Sequence, residues 1–259
     1  MGLRPRAFAL DMDGTVYRGD EPIPGAAGFV AALADGGIPY VFLTNNSSRG
    51  VGHYLRKLRG MGISAAKENV LTSATATFRY LDSHEKGSRV MLLGTPEFEA
   101  EAREAGIDAV DTDPDVVLLS FDRTITYAKI NAAYRALRAG ARFVATHPDD
   151  LCPAEDGYDI DVGPFIRMLE SMTGAKATVV GKPNPLMLEM AAGAMGVAPR
   201  DVVMVGDRLY TDIRMAAEAG NESFLVLTGE ATEGDAAVSE WKPTHVVGSV
   251  ADIAPYLGL

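Results

Sequence analysis

The pentapeptide Asp11-Met12-Asp13-Gly14-Thr15 follows directly on the apolar run Ala7-Phe8-Ala9-Leu10. Such a run reads as a buried strand. Two carboxylates at its end are costly unless something binds there, since burying one unpaired charge costs on the order of several kcal/mol or more. The arrangement recurs three times: Thr44-Asn45-Asn46, Gly181-Lys182-Pro183 and Gly206-Asp207, with Asp212 beyond it, each follow an apolar segment. In open parallel sheets ligands bind outside the carboxyl ends of the strands. A parallel sheet is therefore the fold that can bring these four distant polar runs to one place.

The rest of the chain supports that reading. Short apolar runs alternate with helical segments, the mark of α/β layering around a mostly parallel sheet. Strands are expected at 7–10, 40–43, 89–93, 116–119, 143–145, 178–180, 201–205, 224–227 and 245–247. Helices are expected at about 25–36, 96–105, 126–138 and 164–173. Ser47 is a preferred N-cap residue and predicts a helix running to about Gly60. Asn184 predicts a second cap, with Pro185 in the first turn, where its missing N–H costs little. The middle third has its own strand–helix alternation, long enough to close a core of its own. Residues 80–178 accordingly read as an inserted domain, and 1–79 with 179–259 as the core into which it is inserted.

Composition narrows the function classes. With 259 residues, 47% hydrophobic and 23% charged, the chain reads as an ordinary globular protein. Its net charge of −11 disfavours nucleic acid, whose binding depends on neutralising phosphates. It also disfavours anionic membrane surfaces. No stretch approaches 18 apolar residues, so no membrane span is expected. The single cysteine, Cys152, has no partner for an internal disulfide and fits a reducing, cytoplasmic compartment.

The polar runs suit magnesium-dependent phosphoryl transfer. Phosphate-monoester hydrolysis is among the slowest uncatalysed reactions, with enzymatic accelerations reaching roughly 10²¹-fold. A carboxylate nucleophile splits it into two easier steps. A second carboxylic acid can protonate the leaving oxygen and then activate water. Asp11 and Asp13 can share these two jobs, because alternate strand residues face one side. Asp11, Asp13 and Asp207 gathered together would repel one another and an incoming phosphate. Mg²⁺ takes oxygen ligands, and Lys182 adds a further positive charge. Gly14 permits close backbone approach, and Thr44 and Asn45 offer neutral donors.

These residues resemble the motifs of the haloacid dehalogenase superfamily. Asp11-Met12-Asp13-Gly14-Thr15 is similar to its first motif, Thr44 to its second, Lys182 to its third, and Gly206-Asp207 with Asp212 to its fourth. The fuller strings Val16-Tyr17-Arg18-Gly19, Thr44-Asn45-Asn46 and Arg208-Leu209-Tyr210-Thr211-Asp212-Ile213 resemble the NagD-like, p-nitrophenyl phosphatase-like branch (subfamily IIA). The resemblance implies an α/β fold with a Rossmann-like core, its parallel sheet flanked by helices, and an inserted α/β cap domain of the C2 type. It implies Asp11 as nucleophile and Asp13 as general acid/base. Mg²⁺ would be held by Asp11, the Asp13 carbonyl and Asp207, and the phosphoryl group by Asp13, Gly14, Thr44, Asn45 and Lys182. Asp212 would stand behind the site, although helix capping also accounts for it; Asn46 divides between ligand contact and a turn. Two departures stand out. His147 occupies a position where the family usually has Asn, and Ala216 one where it often has Gly. His147 and Asp149 are cap-contact candidates, against a plain loop and an Asx-turn. The implied activity is hydrolysis of small phosphorylated metabolites, with no nucleic-acid or membrane partner and dimerisation through the cap as one arrangement. A phosphoacceptor signalling domain, or a phosphotransferase that passes the group to another acceptor, is the alternative use of the same aspartyl-phosphate.

Overall fold

The computed structural model describes residues 7–154 and 157–257. The chain forms two compact units. The first comprises Met1–Thr44, Val51–Leu71 and Lys182–Leu259, and the second Asn45–Gly50 and Thr72–Gly181. The second unit thus starts at Thr72 and ends at Gly181, outside the expected limits of 80 and 178, and takes in residues 45–50 as well. The reason is local. Thr72 caps the helix Ser73–His84: its Oγ1 accepts from Thr75 N at 3.1 Å, while Thr75 Oγ1 accepts from Thr72 N at 3.0 Å. A reciprocal capping box of this kind makes the helix start one structural piece, and a boundary at 80 would cut the helix in half.

The first unit is built on a six-stranded sheet. Its strand order is His245–Val247, Ser223–Val226, Val202–Gly206, Ala7–Asp11, Tyr40–Thr44, Val70–Thr72. The central pairings are parallel, with Leu10 opposite both Val205 and Phe42. Ala7–Asp11 and Val202–Gly206 are buried at every residue, as strands covered on both faces must be. Phe8, Phe29, Leu33 and Phe42 fill the core on one side, and the Phe8 and Phe29 rings meet edge-on at 6.0 Å. This register puts the carboxyl ends of the three middle strands side by side. Asp11 lies opposite Leu43, one residue before Thr44, and Asp207 immediately follows Val202–Gly206.

The second unit has a five-stranded parallel sheet in the order Ala177–Val179, Arg142–Ala145, Val116–Leu119, Arg89–Leu93, Asp108–Ala109. The helices Tyr127–Arg138 and Val162–Thr173 contribute Ala133, Leu137, Ile166 and Leu169 to its core. An antiparallel hairpin, Leu151–Ala154 with Gly157–Ile160, leaves this sheet. Sequence patterning does not show it, because its strands are short and Gly157–Ile160 is largely exposed. Ser47 does not cap the following helix, which starts only at Val51. Its hydroxyl accepts instead from Phe121 N at 3.0 Å and Ser120 Oγ at 3.1 Å. Asn184 does serve the helix Leu186–Met195, accepting from Leu186 N at 3.0 Å. Among the described residues no helix is long and apolar enough to cross a membrane.

Candidate active site

At the carboxyl edge of the first sheet, three carboxylates and one ammonium share a small volume. Lys182 Nζ donates to Asp11 Oδ1 and, at 2.8 Å, to Asp212 Oδ1. Asp212 Oδ2 accepts from Arg208 N at 3.2 Å, so both its oxygens are engaged. Ligand oxygens of Asp11, Asp207 and Asp212 lie within 4.8 Å of one another. All three carboxylates are buried, and so is Lys182. Asp212 sits in the single π-helical turn Leu209–Ile213, a form that is rare and frequent at functional sites.

Asp207 is held from outside the expected set. Its Oδ2 accepts from Glu230 N at 2.8 Å, and its backbone carbonyl from Ala231 N at 3.2 Å. Thr228 Oγ1 donates to the Gly14 carbonyl at 2.6 Å. Residues 228–231 therefore complete the site, and sequence reasoning passed over them. The signal was present, since Thr228-Gly229 is another polar run after an apolar strand. Gly229 is required by space: a Cβ there would lie 1.9 Å from Asp207 Oδ2. Gly14 is required twice over, with φ +89° and a Cβ position 2.4 Å from the same oxygen.

The electrostatics follow from burial. Asp11 is pushed up to about 8 by desolvation and by its neighbours Asp212 and Asp207, against the pull of Lys182. Asp207 is pushed up to about 6 by burial and by Asp212, with the Glu230 N–H opposing. Burial alone favours a neutral Lys182, but Asp11 and Asp212 overcome it and hold the ammonium. Asp207 Oδ1 is buried with no hydrogen-bond partner. An orphan carboxylate oxygen is expensive. Carboxylate oxygens of Asp11, Asp207 and Asp212 lie close enough for one hard divalent cation, which takes such oxygens as ligands. Asp11 and Asp207 are the groups left to hold one, because Asp212 is spent on Lys182 and Arg208.

Asp13 differs from its neighbour two residues earlier. It is exposed, and its Oδ1 accepts from Gly19 N at 3.3 Å. Thr44 is half-buried at its strand end. The remaining candidates belong to the second unit. Asn45 Nδ2 donates to both carboxylate oxygens of Asp149, at 3.1 and 3.2 Å. Asn46 Oδ1 accepts from Ser48 N at 2.9 Å, the geometry of a local Asx-turn. His147 is fully buried, and its Nε2 lies 2.9 Å from Asp161 Oδ1. Burial lowers its pKa, but Asp161 more than compensates and leaves it raised.

Comparison with known proteins places this geometry. Residues 8–108 match the model of the haloacid dehalogenase-like hydrolases, and residues 179–253 a second, HAD-hydrolase-like model. The chain is 34% identical to 5'-nucleotidase YutF of Bacillus subtilis, over 97% of this chain and 98% of that one. It is 36% identical to sugar-phosphatase AraL of the same organism, over 96% and 92%. The crystal structure of a 4-nitrophenylphosphatase from Thermotoga maritima superposes with a TM-score of 0.90 at 39% identity, covering 97% of each chain.

Proposed function

From a chain that belongs to the haloacid dehalogenase-like hydrolase family, and is a phosphoric monoester hydrolase by that membership, we propose a Mg²⁺-dependent phosphatase of small metabolites that works through Asp11. The observation that carries it is the orphan Asp207 Oδ1 beside a Lys182 ammonium shared by Asp11 and Asp212. Asp11, the Asp13 carbonyl and Asp207 would hold the ion, which would neutralise the charge that these groups and the substrate gather. The Asp11 carboxylate attacks phosphorus, and the bond to the leaving oxygen breaks. Asp13, open to solvent, gives its proton to that oxygen. As a carboxylate it then takes a proton from the water that attacks phosphorus of the aspartyl-phosphate, and the P–O bond to Asp11 breaks to release phosphate and restore the Asp11 carboxylate. Thr44, Asn45 and Lys182 hold the phosphoryl oxygens. Lys182 also favours the Asp11 carboxylate over its acid form, opposing the burial that raises its pKa, and a bound cation would favour the carboxylate further.

The names of the relatives span a nucleotide, sugar phosphates and an aryl phosphate. They support small phosphomonoesters as the substrate class: nucleoside monophosphates, sugar phosphates or phosphoglycolate, with p-nitrophenyl phosphate as an artificial substrate. We place the enzyme in the cytoplasm, where a chain with one cysteine has no disulfide to form. The test is phosphate release from a panel of such esters, with Mg²⁺ and with EDTA, for wild type and Asp11→Asn. Metal-dependent release that vanishes in the variant supports the reading. No release from any ester, with a stable phosphate on Asp11, overturns it in favour of a phosphoacceptor.

A further inference from the structure

We infer that His147 and Asp161 form a buried positioning couple that orders the Asn45–Gly50 segment and thereby sets affinity for the phosphoryl group; this rests on the reading that Thr44 and Asn45 hold that group. The couple is internal to the second unit, and its hydrogen bonds can be followed proton by proton. Asp161 is 4% exposed and His147 0%. Asp161 Oδ1 accepts from Val162 N at 2.8 Å, capping the helix Val162–Thr173, and faces His147 Nε2 at 2.9 Å. A carboxylate has only lone pairs to offer, so Nε2 carries the proton.

The other ring nitrogen meets a line of hydroxyls. Nδ1 is 2.9 Å from Thr146 Oγ1 and 3.4 Å from Ser73 Oγ. Ser73 gives its own proton to the Asn45 carbonyl. Ser47 Oγ accepts from Ser120 Oγ and Phe121 N, which leaves its proton for Thr146 Oγ1 at 3.2 Å. Thr146 Oγ1 and His147 Nδ1 share the next hydrogen bond, and Nε2 carries the line on to Asp161. The ring joins the hydroxyl line to the helix cap through its two opposed nitrogens.

Two residues of the 45–50 segment hang from this network. Asn45 is held at its carbonyl by Ser73 and at its amide by Asp149, and Ser47 lies within the line itself. Asp149 is fixed in turn, because its backbone carbonyl accepts from Gly163 N at 2.8 Å, in the helix that Asp161 caps. Gly181, the residue before Lys182, donates its N–H to the Thr146 carbonyl at 2.7 Å, and a Cβ there would lie 2.8 Å from Asn45 Oδ1. The ligand atoms of His147, Asp149 and Asp161 lie within 4.8 Å of one another. That cluster is not a metal site, because Nε2 is committed to Asp161 and Asp149 to Asn45.

The test combines steady-state kinetics on p-nitrophenyl phosphate with amide hydrogen exchange of residues 45–50. Asp161→Ser keeps a helix cap but is too short for Nε2, and His147→Ala removes the bridge. Each is expected to raise KM roughly 10-fold, a size typical of losing a group that orients a ligand-binding side chain, with kcat within about threefold. Each should also speed exchange at 45–50 while the strand Ala7–Asp11 stays protected. Asp161→Asn keeps an acceptor for both donors and should recover most of the lost affinity. Unchanged KM and exchange in Asp161→Ser and His147→Ala would overturn the inference. If wild type hydrolyses no ester, the functional reading falls by itself, and exchange still decides whether the couple orders the segment.

Discussion

At the edge of the sheet that carries Asp11, two buried carboxylates share one ammonium, and a third, Asp207, keeps an oxygen with no partner. In the inserted unit, Asp161 and Asp149 are also held beyond strand ends, yet each is met by donors placed for it. Both clusters would be flagged by composition alone as acid groups gathered around a basic one. The difference lies in the balance. Where every lone pair has a donor, a polar cluster specifies structure. Where charge is left over, the fold tolerates an energetic cost that only a ligand removes, and perturbed ionisation of that kind marks functional sites.

The largest expected effect tests the unbalanced cluster directly. Asp11→Asn should lower phosphate release on the order of 10⁴-fold, as loss of a nucleophile does; residual turnover above about one per cent would show that Asp11 is not the attacking group. Next, Asp207→Asn should reduce Mg²⁺-dependent activity at least about 100-fold, yet leave the metal-free protein as stable as wild type or more so at pH 8. It removes one of three like charges, and sites built for function commonly trade stability in this way. Thermal melts in EDTA beside activity assays would check both halves, and a destabilised variant would put Asp207 with the balanced groups.

A third effect is in pH. Asp207 and Asp11 hold their protons up to about 6 and about 8 in the folded state, against an ordinary value of 3.8. Above about pH 4 the folded state therefore binds protons that the unfolded chain has released, and metal-free stability should fall as pH rises through about 6 and about 8. Mg²⁺ binds the folded carboxylates and should flatten that fall. Melts from pH 5 to 9 with EDTA and with Mg²⁺ measure it, and parallel curves would mean that the ion binds elsewhere. The smallest effect belongs to the balanced unit. Lys129 Nζ donates to the buried Asp122 at 2.7 Å and to the Gly94 carbonyl at 3.0 Å. Lys129→Met should cost about 1–2 kcal/mol in denaturant melts, with kcat changed by less than about twofold.

What was legible in the sequence was whatever depends on strand ends. Asp11, Thr44 and Asp207 stand at the ends of strands of one sheet, and a parallel sheet converts that pattern into proximity without further information; Lys182 carries the same mark, although the strand before it, Ala177–Val179, belongs to the other sheet. Thr228-Gly229 carries the same mark and was missed for want of a charge. The contacts of Asn45, Ser47 and His147 had no local sign at all. Asn45 and Ser47 find partners about a hundred residues away in the chain, and nothing in a Ser or Asn tells whether it will cap the next helix or bond across a core. The edge of the inserted unit was misplaced for a related reason: Thr72 looks like the end of a strand, and its role as a helix cap depends on Thr75.

The bond between Lys182 and Asp11 joins residues 171 positions apart, and this has a consequence for biosynthesis. On the ribosome, the strand bearing Asp11 emerges among the first, and its counter-charge only after the whole of Thr72–Gly181 has been made. Domains tend to fold as units in order of emergence, so the contiguous insertion can settle while Asp11 is still in water. The central strand can bury its carboxylate only once the third segment of its own unit has arrived. That edge of the first sheet is therefore completed only after residue 182 has emerged, and slow translation beyond it would prolong the interval in which the edge is open.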